Sequence, residues 1–532
     1  MAQEKTRTKA KAEGPPMLKS FNPSTGEAMG EIPSNTPEEV REAVARARKV
    51  QPEWAAIPPP GRAHLLKAVR ERIYERMDDI IDTVSKENGK PEAEALTHDV
   101  LPSVLFLAYL GRIAPKALRT RPTGRLIGPI AAGLRSEIQW HPYGVIGCIA
   151  PWNYPFQLSF MGMVPALLAG NTVVLKPSEF TPGVGERIRE VLDVLPAGVA
   201  TVVQGGGEVG AALVDAPVDK ICFIGSGATG RRIAEAASKH LTPIVMELGG
   251  QDSAVVCADA DLDQASSGVL WGSFLNNGQT CAAIERAYVV ESVADEFEAR
   301  LVEKLGRLRT QMADGDMGPL TIPRQLEVVQ RHAEDAVDKG AKLLAGGPPE
   351  ATVREDGSLF YPPTVIEGRT EEMAIWSEET FGPILPIIRV RDEEEAVRRA
   401  NEEGYNLTAS VWTRDKRKGH ALASRIVAGN VGVNENGAVA AGLPWALWGG
   451  KGESGYGRLH GELGLREFSV PVVVHRKATG KMKSLWWFGY DEATTRTLRG
   501  AAELISAPTL AGKARAARTI AGNIVRAVRQ KV

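Results

Sequence analysis

Short β-rich runs alternating with helical stretches restrict the fold of this chain more than any other feature. Runs at 145–150, 172–175, 200–203, 221–224 and 244–246 are separated by helical segments such as 184–195. Strands joined through helices pair in parallel, and a parallel sheet needs helices on both faces. A second series follows Glu247, with runs at 253–256, 287–290, 364–366, 387–390 and 409–412 and helices at 295–309 and 324–339. The pattern predicts two doubly wound α/β units that meet near residue 248, at a junction where clefts form. Ahead of them residues 36–120 read as helical. Thr36-Pro37-Glu38-Glu39 gives an N-cap, a proline at the first helical position and acidic first-turn residues.

A chain of 532 residues is too long for one small core, so two or three domains are expected. Its 43% hydrophobic and 24% charged residues are ordinary for a globular protein, and a net charge of −1 gives no global attraction to nucleic acid. Cys148, Cys222, Cys257 and Cys281 form no CxxC pair and no zinc-like spacing. That argues against a disulfide framework and a structural metal, and fits a reducing, cytoplasmic setting. Residues 1–17 are polar and basic without an apolar core and read as a disordered tail rather than a leader. The longest apolar tract, 158–175, is broken by Pro165, Gly170 and Asn171, so it reads as a buried helix running into a strand.

Four stretches carry chemistry. Asn276-Asn277-Gly278-Gln279-Thr280-Cys281 places a thiol 34 residues after Glu247 of Met246-Glu247-Leu248-Gly249-Gly250. A thiol is a nucleophile that can form a thioester, and a separate carboxylate can activate the water that hydrolyses it. The plain alternative is a buried free cysteine. In Pro151-Trp152-Asn153-Tyr154-Pro155, Asn153 can offer N–H donors to a developing oxyanion, or simply bond to its own turn. In Lys176-Pro177-Ser178-Glu179 the two charges can straddle a ribose, or merely be solvated. GxGxxG occurs twice, at Gly205–Gly210 and Gly225–Gly230, each after a predicted strand and opening a helix. The second lacks the acidic residue that an ordinary Rossmann unit carries about 20 positions later.

Taken together, these stretches and four more resemble the NAD(P)-dependent aldehyde dehydrogenase superfamily over about residues 18–477. PWNYP (151–155), KPSE (176–179), FIGSGATG (223–230), MELGG (246–250), NNGQTC (276–281), EETFGPI (378–384), GNVGVN (429–434) and GGKGESGYGR (449–458) follow the family's order and spacing. The resemblance implies Cys281 as nucleophile, Glu247 as general base and Asn153 as oxyanion donor. It implies cofactor contacts from Trp152, Lys176, Glu179, Gly225, Ser226, Glu379 and Phe381, and a substrate tunnel lined by Leu158 and Met161. It further implies NAD as cofactor with NADP as the alternative, Glu179 favouring NAD because a 2′-phosphate would meet its charge. The domains it implies are a Rossmann-like cofactor domain (18–121 and 142–248), a catalytic domain (249–443) and bridging strands (122–141 and 465–477) that build a homodimer or homotetramer.

The expected reaction is oxidation of an apolar aliphatic or aromatic aldehyde to its acid. A semialdehyde substrate stays open, as does a non-catalytic binding or scaffold protein on the same fold.

Two stretches depart from the family. Pro444-Trp445-Ala446-Leu447-Trp448-Gly449-Gly450 carries three extra residues, and a lysine that usually follows the glycine pair at one remove lies directly after it, at Lys451. In relatives this segment lies by the tunnel mouth, so substrate shape is the property expected to change. The second departure is residues 478–532, with ten Lys/Arg and three Asp/Glu, a balance of +7 that leaves −8 for the rest. Leu485-Trp486-Trp487-Phe488 precedes a helix whose Leu510, Ala514, Ala517, Ala521, Ile524 and Val528 share one face. That face is expected either to pack on protein or to make peripheral contact with an anionic membrane through 485–532.

Overall fold

The structure is a computed structural model and describes residues 16–123, 134–310, 315–347, 357–402, 404–477 and 483–531. It divides into two compact units: Met1–Ala117 with Pro142–Ser469, and Leu118–His141 with Val470–Val532.

The first unit holds both predicted sheets. Among the described residues one sheet has six strands, ordered Gly455–Tyr456, Ile244–Glu247, Lys220–Ile224, Val145–Ile149, Thr172–Lys176, Ala200–Val202. All neighbours are parallel except Gly455–Tyr456, which runs antiparallel to Ile244–Glu247 with Gly455 opposite Glu247. The chain thus returns, after the whole catalytic half, to add an edge strand beside the expected general base. Val145, Ile221 and Phe223 pack under the helices Pro37–Ala56, Gly207–Asp215 and Gly227–Ser238. On the opposite face Cys148 and Cys222 lie under Gly162, where a Cβ would come 2.7 Å from Cys222 Sγ. Gly162 belongs to helix Pro155–Leu168, which is buried on every side.

The second sheet runs Lys342–Ala345, Thr364–Glu367, Ile384–Val390, Ile284–Val290, Asp252–Val256, Thr408–Trp412, Asn430–Val433, with only the first strand antiparallel. Alternate residues serve opposite faces: Ala254 and Val256 pack on the helices Leu262–Phe274 and Glu291–Leu305, and Val255 and Cys257 on Glu393–Glu402. Helix Pro37–Ala56 opens with the expected cap as a full capping box, Glu39 N–H to Thr36 Oγ1 at 3.3 Å and Thr36 N–H to Glu39 Oε2 at 2.7 Å. Helical residues Glu92–Ala117 are long and apolar enough to pass for a membrane span by composition. Their buried Asp99, paired with Lys90, identifies them as core.

Three expectations need correction. The bridging segment 465–477 is not all strand: helix Gly461–Glu467 ends inside it, and the strand is Ser469–Lys477. With Leu134–Pro142 and Arg121–Pro122 it forms a three-stranded sheet in the second unit, while 124–133 lie outside the described residues. Of the expected disordered tail, 1–15 lie outside the described residues, but Met17 already starts the strand Met17–Phe21. In the C-terminal extension, helices Glu492–Ser506 and Leu510–Arg529 pack on each other through Ala516, Ile520 and Ala527; of the predicted stripe Ile524 and Val528 join that packing, while Leu510, Ala514, Ala517 and Ala521 stay exposed. The close approach depends on small residues, which a hydrophobic pattern does not weigh.

Candidate active site

Cys281 follows a turn that few sequences can make. Leu275–Gly278 carries Asn276 at φ 51°, Asn277 at φ 56° and Gly278 at φ 73°, three left-handed residues in a row. Asparagine tolerates that region better than most side chains, and glycine freely. A Cβ on Gly278 would sit 2.3 Å from the Gly382 carbonyl oxygen, so the position admits only glycine. Gln279 locks the turn, donating through Nε2 to Asn276 O at 3.0 Å and accepting the Thr321 N–H at 2.8 Å. Glu94 accepts the Asn276 N–H at 3.2 Å.

Glu247 closes strand Ile244–Glu247, and its carbonyl accepts the Gly225 N–H at 3.1 Å. The buried carboxyl accepts Trp448 Nε1–H at 3.3 Å and lies close enough to the Cys281 thiol for the two to influence each other's ionisation. Burial pushes Glu247 up to about 7, and the Cys281 thiol and the bond from Trp448 pull the other way. Cys281 is half-buried as a residue with its thiol enclosed. Burial pushes that thiol well above its ordinary value, and the charge of Glu247 adds to this. Near neutral pH the pair therefore holds a neutral thiol beside a carboxyl close to half ionisation; the thiol favours the carboxylate, and the carboxylate holds the thiol protonated.

Asn153 lies between strand Val145–Ile149 and helix Pro155–Leu168. One N–H of its amide donates to Gln279 O at 3.0 Å, two residues from Cys281, which leaves the other to offer. Its own carbonyl accepts Lys90 Nζ at 2.7 Å and Asn276 Nδ2 at 2.9 Å. Lys90 is wholly buried, pairs with Asp99 at 2.8 Å and lies 3.9 Å from the centre of the Tyr154 ring. Asp99 also accepts the Phe156 and Gln157 N–H groups at 3.0 and 3.2 Å, capping helix Pro155–Leu168. It sits in a π-helical turn, Ala95–Val100, an irregularity often found beside functional sites.

The residues expected at the cofactor stand on several elements of the same unit. Lys176 ends its strand buried, with Nζ 2.6 Å from Glu179 Oε2. Ser226 caps helix Gly227–Ser238, its Oγ accepting the Thr229 N–H at 3.4 Å, and the helix N-terminus favours anions. Glu379 is half-buried and accepts the Gly250 N–H at 2.9 Å; a Cβ on Gly249 would meet its carboxylate at 2.0 Å. Phe381, at φ 50°, stands edge-on to Trp152 with ring centres 5.5 Å apart. Leu158 and Met161 lie one turn apart on helix Pro155–Leu168, both buried.

Several functional neighbours escaped the sequence reading. Glu285 accepts the Thr380 and Phe381 N–H groups at 3.0 and 2.9 Å and so holds the strained Phe381 backbone. Lys90 and Asp99 lie outside every motif that the sequence singled out. His98 lies between Tyr154 and Trp271, with ring centres 6.3 and 6.0 Å away, and Tyr154 Oη bonds Thr280 Oγ1 at 2.7 Å. The 444–451 segment was placed at the tunnel mouth, acting on substrate shape alone. It divides instead: Trp445 and Leu447 are exposed, but Trp448 is fully buried on Glu247 and stacked with His460. One cluster of potential metal ligands occurs among the described residues, Cys257, Asp259 and Glu393, and the Lys418 ammonium already bonds both carboxylates.

The two mainly parallel sheets, each with helices on both faces, define a doubly wound α/β protein. A profile of the aldehyde dehydrogenase family matches residues 10–474. A 4,4'-diapolycopene aldehyde oxidase of Methylomonas sp. is 36% identical over 495 residues, covering 92% of this chain and 91% of the relative. A protein of Mycolicibacterium smegmatis with the provisional name succinate-semialdehyde dehydrogenase [NADP(+)] is 38% identical over 468 residues, 87% of this chain and 88% of its own. Among solved structures, the Mycobacterium tuberculosis aldehyde dehydrogenase complexed with NAD+ aligns with a TM-score of 0.80 at 32% identity, covering 88% of this chain and 96% of that one. PnpE from Pseudomonas sp. WBC-3 aligns with a TM-score of 0.82 at 33% identity, covering 88% and 96%. The chain belongs to the aldehyde dehydrogenase family.

Proposed function

We propose that this protein oxidises an apolar aliphatic or aromatic aldehyde to its carboxylic acid, with Cys281 as nucleophile, Glu247 as general base and Asn153 as oxyanion donor. The observation that carries the reading is the buried Glu247 carboxyl, bonded by Trp448 Nε1–H and close enough to the enclosed Cys281 thiol for each to shift the other's ionisation, beside an anchored Asn153 amide. The Cys281 sulfur attacks the carbonyl carbon, and the remaining Asn153 N–H with the Cys281 main-chain N–H stabilises the oxyanion of the thiohemiacetal. Bound NAD supplies the hydride acceptor that turns this adduct into a thioester. Glu247 then takes a proton from water as it attacks the thioester, which releases the acid and returns the thiol.

The residues present fit a dinucleotide. Gly225 has no side chain just before a helix N-terminus, the Lys176–Glu179 pair suits a ribose, and the Trp152 and Phe381 rings meet edge-on. Glu179 favours NAD over NADP, although relatives include one named for NADP(+). The His98, Tyr154 and Trp271 rings beside Thr280, with Leu158 and Met161 behind them, favour an apolar substrate, as does the relative named for diapolycopene aldehyde. A semialdehyde is the second reading, on the strength of the relatives bearing that name. Exposed Val472, Val473 and Val474 on the strand Ser469–Lys477 support assembly as a homodimer or homotetramer.

A steady-state screen of aldehydes by chain length and charge, with NAD and with NADP, tests the reading. It predicts NADH formation with kcat/KM rising along an uncharged series. A preference for carboxylated aldehydes favours the second reading, and no turnover with any aldehyde leaves only a binding protein.

A further inference from the structure

The C-terminal hairpin keeps an apolar face that its own packing does not use. A Cβ on Gly500 of the first helix would come 3.1 Å from both the Ala516 carbonyl oxygen and Ile520 Cγ1, so the helices meet closely through small residues. Lys531 closes the hairpin, donating to Gly489 O at 3.1 Å and Thr494 Oγ1 at 3.0 Å. The unused stripe, Leu510, Ala514, Ala517, Ala521 and Val525, faces solvent; Leu510 is 87% exposed and Val525 60%. Arg515 and Arg526, and Arg518 and Arg529, each lie eleven residues apart, about three helical turns, which sets two arginine rows along one edge of the stripe. All four are exposed, and among the described residues none of them forms an ion pair within 4.0 Å. Just before the hairpin Trp486, Trp487, Phe488 and Tyr490 are also exposed.

We infer that this hairpin docks on the anionic surface of a lipid bilayer, its second helix lying in the interface plane. The apolar stripe enters the boundary of the acyl chains, the arginines meet lipid phosphates, and the aromatic rings occupy the headgroup layer. Charge complementarity selects this occupant. A second copy would bring the same positive charge, +7 over 478–532, against the first. An acidic protein surface would pair the arginines but gives no apolar cover to Leu510, Val525 and Phe488, which are 87%, 60% and 76% exposed. The cytoplasmic leaflet is the one that carries anionic lipids. Because the stripe is rich in alanine, binding relies on charge and is reversible.

Flotation of the full-length enzyme with vesicles of phosphatidylcholine plus phosphatidylglycerol, against phosphatidylcholine alone, tests the inference at low and high salt. The expected result is flotation with the anionic vesicles at low salt only. Arg518→Glu combined with Arg529→Glu lowers the bound fraction roughly tenfold or more, since each arginine near an anionic surface contributes appreciably. Phe488→Ser weakens it less. Unchanged turnover of a water-soluble aldehyde confirms that the variants are folded. An enzyme that stays in the dense fraction with both vesicles overturns the inference, and so does flotation that ignores charge reversal. A Leu510→Glu variant that changes the oligomer mass without any vesicle binding assigns the stripe to a second copy instead.

Discussion

The turn that carries Cys281 is fixed by main-chain geometry, whereas the Glu247 carboxyl opposite it is held by one side chain from a remote segment. Asn276, Asn277 and Gly278 occupy left-handed backbone, and Gln279, Asn153 and Glu94 bond into the turn from three directions. A nucleophile mounted in this way cannot drift without breaking several bonds at once. The Glu247 carboxyl, apart from the thiol it faces, receives one donor, Trp448 Nε1–H at 3.3 Å. The arrangement suits the two tasks. The sulfur must meet the carbonyl carbon at one position, while the base must accept a proton from water in a later step. Rigidity is spent on the first group, and tuning on the second.

Substitutions on each side test that contrast. Cys281→Ser is expected to lower dehydrogenase turnover at least about ten-thousandfold, as losing a catalytic nucleophile generally does, in steady-state NADH formation. Persistence of full activity would move the nucleophile elsewhere. Asn153→Ala is expected to cost about a hundredfold to a thousandfold in kcat with little change in KM, because the oxyanion donor acts chiefly in the transition state.

The smallest effect sharpens the comparison most. The Trp448 N–H favours the carboxylate form of Glu247, so Trp448→Phe raises that group further above about 7. The sign follows directly: fewer enzyme molecules hold the base ionised at neutral pH, and the acid limb of thioester hydrolysis moves to higher pH. Hydrolysis at neutral pH falls roughly fivefold, as expected when a group titrating at about 7 rises by about one pKa unit, and recovers under alkaline conditions. The NADH burst, which reports on the Cys281 side, keeps its rate. A limb that stays in place shows Trp448 to be a packing residue only.

The contrast also explains what was legible in the sequence. Main-chain devices leave residue-type signatures, so Asn276-Asn277-Gly278 and the strand–helix alternation around it could be read directly. Trp448 could not be read, because its role depends on an inserted segment folding back beside a strand two hundred residues earlier in the chain. Lys90 and Asp99 were hidden for another reason. Nothing local distinguishes a solvated lysine from one buried against a carboxylate and a backbone carbonyl. The terminal hairpin was misread because Gly500 and Ala516 pack by closeness of approach rather than by hydrophobicity.

The most direct test of the account is rapid-mixing measurement of NADH formation by Glu247→Gln with an excess of aldehyde. The account predicts a burst of about one NADH per active site, as for an acyl-enzyme that forms normally, followed by steady turnover slowed about a hundredfold or more by loss of the base. Undiminished steady turnover, or the absence of any burst while Cys281 remains intact, contradicts the division of labour between thiol and carboxylate.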